Sequence, residues 1–288
     1  MAVVTVVGAG VIGVSWARLF AQAGWDVRVS DPRPDLADIV AEQLDGLSVV
    51  AEPDLATAAE GTDHVQEAGP ERMDIKHQMF GTLAAHTRDD VVLASSSSSL
   101  LPSAIAEGNA APERIVIGHP FNPPELIPLV EIVPGPATSP AIVARAVEVY
   151  RGLGKLPITL KKEIPGFVGN RLQKVFNDQA MYLVQQGVIE PEDLDELVKA
   201  SLGLRWATIG PFESRHLGGG PDGIRHLMEH VGSQMSFEIG KPDPAANGPV
   251  IDRVEQVYGI GPDAYEERTQ LRDRRTRAIV DALEGGDA

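Results

Sequence analysis

Two periods of apolar and polar residues divide this chain. Up to Leu160, short apolar runs alternate with stretches whose apolar residues recur at helical spacing. Ala2–Val7 is almost wholly apolar, which predicts a strand buried on both faces, and Trp25–Asp31 alternates as a strand does. Further strands are predicted at Leu47–Val50, His64–Glu67, Val91–Ala94, Ile115–Ile117, Leu129–Val133 and Leu156–Leu160. Helices are predicted at Val11–Ala23, Leu36–Leu44, Asp54–Glu60, Glu71–Ala84 and Pro140–Leu153, with a short one opening at Ser103–Ile105. Strand and helix in alternation predict an α/β fold, a Rossmann-type doubly wound parallel sheet.

Beyond Lys161-Lys-Glu-Ile-Pro-Gly166 the pattern is helical only. Phe167, Val168, Leu172, Val175, Phe176, Met181 and Val184 fall three and four residues apart, closed by Gly187. Pro191 starts a second helix ended by Gly203, and Ile224–Val231, Val250–Val257 and Ala264–Leu283 predict three more. The expected organisation is a dinucleotide-binding domain over 1–163 and an all-helical substrate and dimerisation domain over 164–288.

The first strand runs into Gly8, Gly10 and Gly13, spaced G-x-G-x-x-G, and then into a helix. Gly8 permits the tight turn, Gly10 lets the backbone approach a pyrophosphate, and Gly13 lets helix and strand pack closely. The free N–H groups and positive dipole end of the helix then meet the phosphates. Asp31, 18 residues after Gly13, ends the next strand, where its carboxylate can accept both adenosine ribose hydroxyls and repel a 2′-phosphate. The expected cofactor is NAD. Arg33, two residues on, is the one group that could favour NADP; the plain alternative for Asp31 is a helix cap.

Composition narrows the partners. A formal net charge of −16 argues against nucleic acid and anionic membranes, and the absence of cysteine excludes disulfides, thiol nucleophiles and zinc–thiolate sites. The chain has no apolar stretch of membrane-spanning length and begins at once with a strand, so the expectation is a cytoplasmic protein without a signal peptide. No His, Asp and Glu set has metal-ligand spacing, and no metal is expected.

Chemistry concentrates at predicted strand ends, where doubly wound folds bind ligands. Ser95–Ser99 follow one strand, and Gly118-His-Pro-Phe-Asn-Pro-Pro124 follows another, holding His119 at its terminus in a proline-stiffened loop. Glu131 lies among apolar neighbours on the following strand; a buried Glu needs a partner, and His119 is a natural one. A His–Glu couple beside a nicotinamide is a general base with an orienting carboxylate. A structural, hydrogen-bonded histidine is the plain alternative.

The ordered series Ser95-Ser-Ser-Ser-Ser-Leu100, Gly-His-Pro-Phe-Asn-Pro-Pro, Leu129-Val-Glu-Ile-Val-Pro-Gly135 and Pro165-Gly-Phe-Val-Gly-Asn-Arg-Leu172 resembles the 3-hydroxyacyl-CoA dehydrogenase superfamily across nearly the whole chain. The resemblance implies catalytic roles for Ser98, His119, Glu131 and Asn170, contacts of Glu71 and Lys76 to the nicotinamide-side ribose, and a homodimer formed through the helical region. Ser201–Glu213 is similar to the branch acting on free hydroxy acids, which contains L-carnitine dehydrogenase and L-gulonate 3-dehydrogenase (the lambda-crystallin relatives). By that likeness Arg205 meets a substrate carboxylate; a trimethylammonium group needs aromatic faces or a carboxylate, and Trp206, Phe121, Phe212 and Glu213 are available near the site motifs. Only 30 residues separate Asp31 from Gly61, where acyl-CoA members carry a longer helical insertion.

The expected activity is therefore NAD-dependent oxidation of the 3-hydroxyl of a small free acid. A carnitine-like substrate stands ahead of a sugar acid, and a 3-hydroxyacyl-CoA comes third. Arg205 could instead satisfy helix-end carbonyls, and Asn170 could be a simple helix cap. His216 and His226 lie near the substrate-side motif. Two rival readings are an NAD-binding structural protein of the crystallin kind and a β-hydroxyacid dehydrogenase, whose helical lysine would fall near Asn170, Arg171 or Lys174.

Overall fold

The computed structural model describes residues 1–230 and 238–286, and the chain forms two compact units, Met1–Asn170 and Arg171–Ala288.

The first unit is built on one eight-stranded sheet. Its strands are β1 (Val3–Val7), β2 (Asp26–Ser30), β3 (Val49–Ala51), β4 (His64–Glu67), β5 (Val92–Ser95), β6 (Ile115–Pro120), β7 (Leu129–Pro134) and β8 (Leu156–Thr159). They lie in the order β3-β2-β1-β4-β5-β6-β7-β8. The helices are α1 (Val11–Gln22), α2 (Leu36–Gln43), α3 (Leu55–Ala59), α4 (Met73–His86), α5 (Pro102–Ile105) and α6 (Pro140–Gly152). One core contains Trp16 and Phe20 of α1 with Ala146 and Tyr150 of α6. A second contains Phe80 and Leu83 of α4 with Ile105 and Phe167. The central strands are apolar on both sides because helices supply both cores.

The sheet departs from the expected parallel one at a single pairing: β7 runs antiparallel to β6. The two strands follow one another with no crossover helix between them, and a parallel neighbour needs one. This register sets His119 directly opposite Glu131. His119 also lies within β6 rather than in a loop beyond the strand, since pairing with β7 extends β6 to Pro120.

In the second unit the helices are α7 (Gly169–Gln185), rooted in the last two residues of the first unit, α8 (Pro191–Val198), α9 (Leu204–Thr208), α10 (Pro211–Gly218), α11 (Gly223–His230), α12 (Asn247–Tyr258) and α13 (Pro262–Gly286). α7 begins two residues later than Phe167, the first apolar position of its pattern. Gly203 does not end a helix: a π-helical turn, Lys199–Gly203, carries the chain from α8 straight into α9. Gly is permitted inside a helix at a cost of about 1 kcal/mol, so its presence alone does not terminate one. α10, absent from the expected pattern, opens at Pro211, the favoured first-turn residue. Val231, the expected last residue of the Ile224 helix, lies outside the described residues. Between α8 and α12, Arg253 pairs with Glu192 and the Tyr258 hydroxyl donates to Asp195 at 2.5 Å. Among the described residues no helix is long and apolar enough to cross a membrane.

Candidate active site

The dinucleotide loop follows β1. Gly8 has φ +103°, and a Cβ there would lie 2.7 Å from the Ala68 carbonyl oxygen; a Cβ on Gly13 would lie 1.8 Å from the Gly8 carbonyl oxygen. These two glycines are required by the turn and the helix–strand approach. Gly10 faces open space, with nothing within 4 Å of its would-be Cβ, so a cofactor phosphate can reach its backbone. The residues present thus fit a dinucleotide.

Asp31 Oδ2 accepts from the Ala9 N–H at 2.8 Å, which binds the end of β2 to this loop. Its Oδ1 accepts from the Arg33 N–H at 3.0 Å. The Arg33 guanidinium is turned the other way, held in a fork by the Asp35 carboxylate at 2.6 and 2.8 Å. The group that could have welcomed a 2′-phosphate is thus engaged by Asp35.

The strand-end loops after β4 and β5 are organised by two carboxylates. Buried Glu67 accepts from Lys76 Nζ at 2.6 and 2.8 Å, from Ser95 Oγ at 2.6 Å and from the Gly69 N–H at 2.5 Å. Burial pushes its carboxyl up, against the pull of Lys76 and the other donors. Glu71 accepts from Ser97 Oγ at 2.7 Å and from the Ser98 N–H at 2.7 Å, with Ser98 Oγ at 3.4 Å. Asn170 Nδ2 donates to the Ser98 carbonyl at 3.1 Å. Ser98, Glu71 and Asn170 therefore form one cluster, with the exposed Ser98 hydroxyl at its surface.

Lys76 does not join that cluster. It is 1% exposed, and its ammonium is used up by Glu67 and by the Gly69 carbonyl at 3.2 Å. Glu71 and Lys76, both expected to contact a ribose, are held apart by a buried Glu67–Lys76 pair, because α4 turns Lys76 toward the sheet. In this arrangement Lys76 braces the loop instead of reaching a ribose.

His119 Nδ1 lies 2.9 Å from Glu131 Oε2, both side chains being almost fully buried. The other oxygen of Glu131 accepts the N–H groups of Val168 and Gly169, each at 3.0 Å, at the start of α7. Burial raises this carboxyl, but the His119 bond and those two N–H groups outweigh it and hold it below the ordinary glutamate value. The imidazole also packs against Phe121 at 5.7 Å and Phe167 at 5.4 Å between ring centroids. Phe167 is fully buried with φ +48°, a left-handed conformation rare for an aromatic residue. The pattern included Phe167 and Val168 and the motif included Gly169, but neither showed that the Val168 and Gly169 N–H groups serve Glu131 or that Phe167 is left-handed. The Pro-Gly pair before Phe167 was the available signal.

Arg205 and Trp206 lie on α9 in the second unit, both exposed. Among the described residues the Arg205 guanidinium makes no ion pair or hydrogen bond; its carbonyl, not its side chain, serves the helix end. His216 Nδ1 accepts the Ile224 N–H, so this histidine joins α10 to α11.

Comparison with known proteins agrees with the geometry. The NAD-binding-domain model of 3-hydroxyacyl-CoA dehydrogenase matches residues 3–52 and 38–164, and the model of its C-terminal domain matches 166–244. A 3-hydroxyacyl-CoA dehydrogenase of Gibberella moniliformis is 42% identical over 80% of this chain and 77% of its own length. A lambda-crystallin homolog of Bos taurus is 38% identical and an L-carnitine dehydrogenase of Pseudomonas syringae 37%, each over 96% of this chain and 93% of its own length. Among solved structures, 5-formyl-3-hydroxy-2-methylpyridine 4-carboxylic acid 5-dehydrogenase, an NAD+-dependent dismutase, superposes with a TM-score of 0.84 at 27% identity, covering 99% of both chains. With a glycine-rich loop that fits a dinucleotide and a His–Glu couple on paired strands, this chain belongs to the 3-hydroxyacyl-CoA dehydrogenase family of NAD-dependent oxidoreductases.

Proposed function

We propose that the protein oxidises the 3-hydroxyl of a small free 3-hydroxy acid, with a carnitine-like substrate ahead of a sugar acid. The observation that carries the chemistry is the cross-strand His119–Glu131 pair at 2.9 Å. With Nδ1–H donated to Glu131, His119 keeps Nε2 free to take the substrate hydroxyl proton, and the carboxylate stabilises the imidazolium that forms. NAD, when bound, accepts the hydride released from C3. Ser98 and Asn170 donate to the developing carbonyl or to neighbouring oxygens, with Glu71 holding the Ser98 backbone in place.

The choice of a free acid is supported by what lies between Asp31 and Gly61. That stretch holds only an eight-residue α2, a three-residue β3 and a five-residue α3, with no room for an added helical arm to bind CoA. Arg205, with an unengaged guanidinium, suits a carboxylate, which it can bind in a fork. Phe121 beside His119 and the exposed Trp206 suit a quaternary ammonium. We place the protein in the cytoplasm as a homodimer, assembled through the exposed apolar residues of the second unit; a monomer by light scattering at micromolar concentration contradicts the dimer.

The deciding experiment is NADH formation with L-carnitine, L-gulonate and 3-hydroxybutyryl-CoA side by side. Turnover of L-carnitine above the other two is expected. Activity confined to the CoA ester overturns both the Arg205 argument and the short-segment argument.

A further inference from the structure

We infer that Ser96 donates a hydrogen bond to the nicotinamide half of the bound dinucleotide, and that a buried relay of Trp16, Gln66 and Tyr150 aims its hydroxyl. Ser96 directly follows β5, its N–H donating to the Glu67 carbonyl at 2.7 Å at the end of β4. Its neighbours Ser95 and Ser97 bond to Glu67 and Glu71. Ser96 points the opposite way, as strand alternation requires, toward the core shared by α1 and α6.

On that side its oxygen is saturated. Trp16 Nε1 donates to Ser96 Oγ at 3.1 Å and Gln66 Nε2 donates to it at 2.8 Å. Tyr150 donates its phenolic proton to Gln66 Oε1 at 2.6 Å. The direction of this relay is fixed at both ends. An indole N–H can only donate, and the Tyr150 proton has no other acceptor among the described residues. Turning the Gln66 amide over would leave that proton buried and unpaired, costing about 1–3 kcal/mol. Gly118 makes the relay sterically feasible, since a Cβ there would lie 1.9 Å from the Tyr150 hydroxyl.

A serine hydroxyl has two lone pairs and one proton. With both lone pairs occupied, Ser96 is left as a donor alone, and no described residue accepts its proton. Trp16, Gln66 and Tyr150 are fully buried, whereas Ser96 is partly exposed. Ser96 lies at the carboxyl end of β5, the strand next to β4 and one strand out from the switch point where β1 and β4 adjoin, on the edge across which dinucleotides lie. The complementary ligand atom is an acceptor: a nicotinamide-ribose oxygen or the carboxamide carbonyl. The inference rests on NAD binding and is independent of which hydroxy acid is oxidised.

The test is equilibrium binding of NADH, ADP-ribose and ADP to the full-length protein and to Ser96→Ala. Loss of one neutral hydrogen bond is expected to weaken NADH by about three- to tenfold and leave ADP unchanged. If ADP-ribose weakens with NADH, the acceptor is a ribose oxygen; if only NADH weakens, it is the carboxamide. In Tyr150→Phe the Gln66 amide is released to turn and capture the Ser96 proton, so NADH binding should weaken while ADP binding holds. Unaltered NADH affinity in Ser96→Ala, or an equal loss for ADP, overturns the assignment. Unaltered NADH affinity in Tyr150→Phe overturns the relay.

Discussion

The sheet unit and the helical unit dispose of their large apolar side chains in opposite ways. In the first, Trp16, Phe20, Phe80 and Phe167 are fully buried. In the second, Leu172, Val175, Trp206 and Phe212 are 65%, 61%, 47% and 79% exposed, and among the described residues after Asn170 only Pro191, Gly219, Gly223 and Val250 are buried. The polar groups follow the same division. Glu67, Lys76, Gln66, His119 and Glu131 are buried with their partners, while the ion pairs of the second unit lie mostly at its surface. A sheet covered on both faces closes its own core. Helices gain most of their stability from packing an apolar face, and in the helical unit much of that face stays uncovered.

The sharpest way to break this comparison is at the chemistry. His119→Ala should cut kcat by about 10²–10⁴-fold with NADH affinity nearly unchanged, as measured by steady-state turnover and fluorescence titration. Retention of near-normal turnover would move the reaction out of the sheet unit.

A paired truncation probes packing. Phe80→Ala empties a fully buried site and should cost about 3–5 kcal/mol in denaturant unfolding. Phe212→Ala, at an exposed site, should stay within about 0.5 kcal/mol when unfolding is followed on dilute protein. Equal losses at the two sites would erase the contrast.

Acid distinguishes the units as well. His64 is fully buried against Phe20 and Tyr150, and burial lowers it from 6.5 to about 4. Its folded value is the depressed one, so the unfolded chain binds the extra proton first. Stability is full above pH 6.5 and falls as the pH drops toward 4, by about 3 kcal/mol for a shift of this size. His64→Phe should flatten that part of the pH–stability curve, and an unchanged slope would remove His64 as its source.

Much of the sheet was readable in advance because its strands are buried on both sides: the largely apolar runs Ala2–Val7 and Val91–Ala94 fall on β1 and β5 to within a residue at each end. Strand direction was not readable, since periodicity is the same whichever way a strand runs, and β7 turned out antiparallel. The His119–Glu131 pairing was legible from the acid's need for a partner. Its second set of donors was not, because every residue carries a backbone N–H and nothing marks those of Val168 and Gly169. The burial of Lys76 against Glu67 was not legible for a related reason: it depends on the rotation of α4, which motif spacing does not give. In the helical unit Gly203 misled, being a helix-breaker by propensity that tertiary structure carried through.

Glu131 has a bearing on how such proteins can be cut and rejoined. Its carboxylate holds His119 with one oxygen and the first turn of α7 with the other, so the family's domain boundary, between residues 164 and 166, passes through the set of contacts that orients the imidazole. A chimera joined at that boundary would import a foreign Val168–Gly169 edge under its own glutamate. One joined after Asn170, where the compact unit ends, would keep the whole clasp. Such a join would carry His119, Glu131 and both backbone donors together into the chimera.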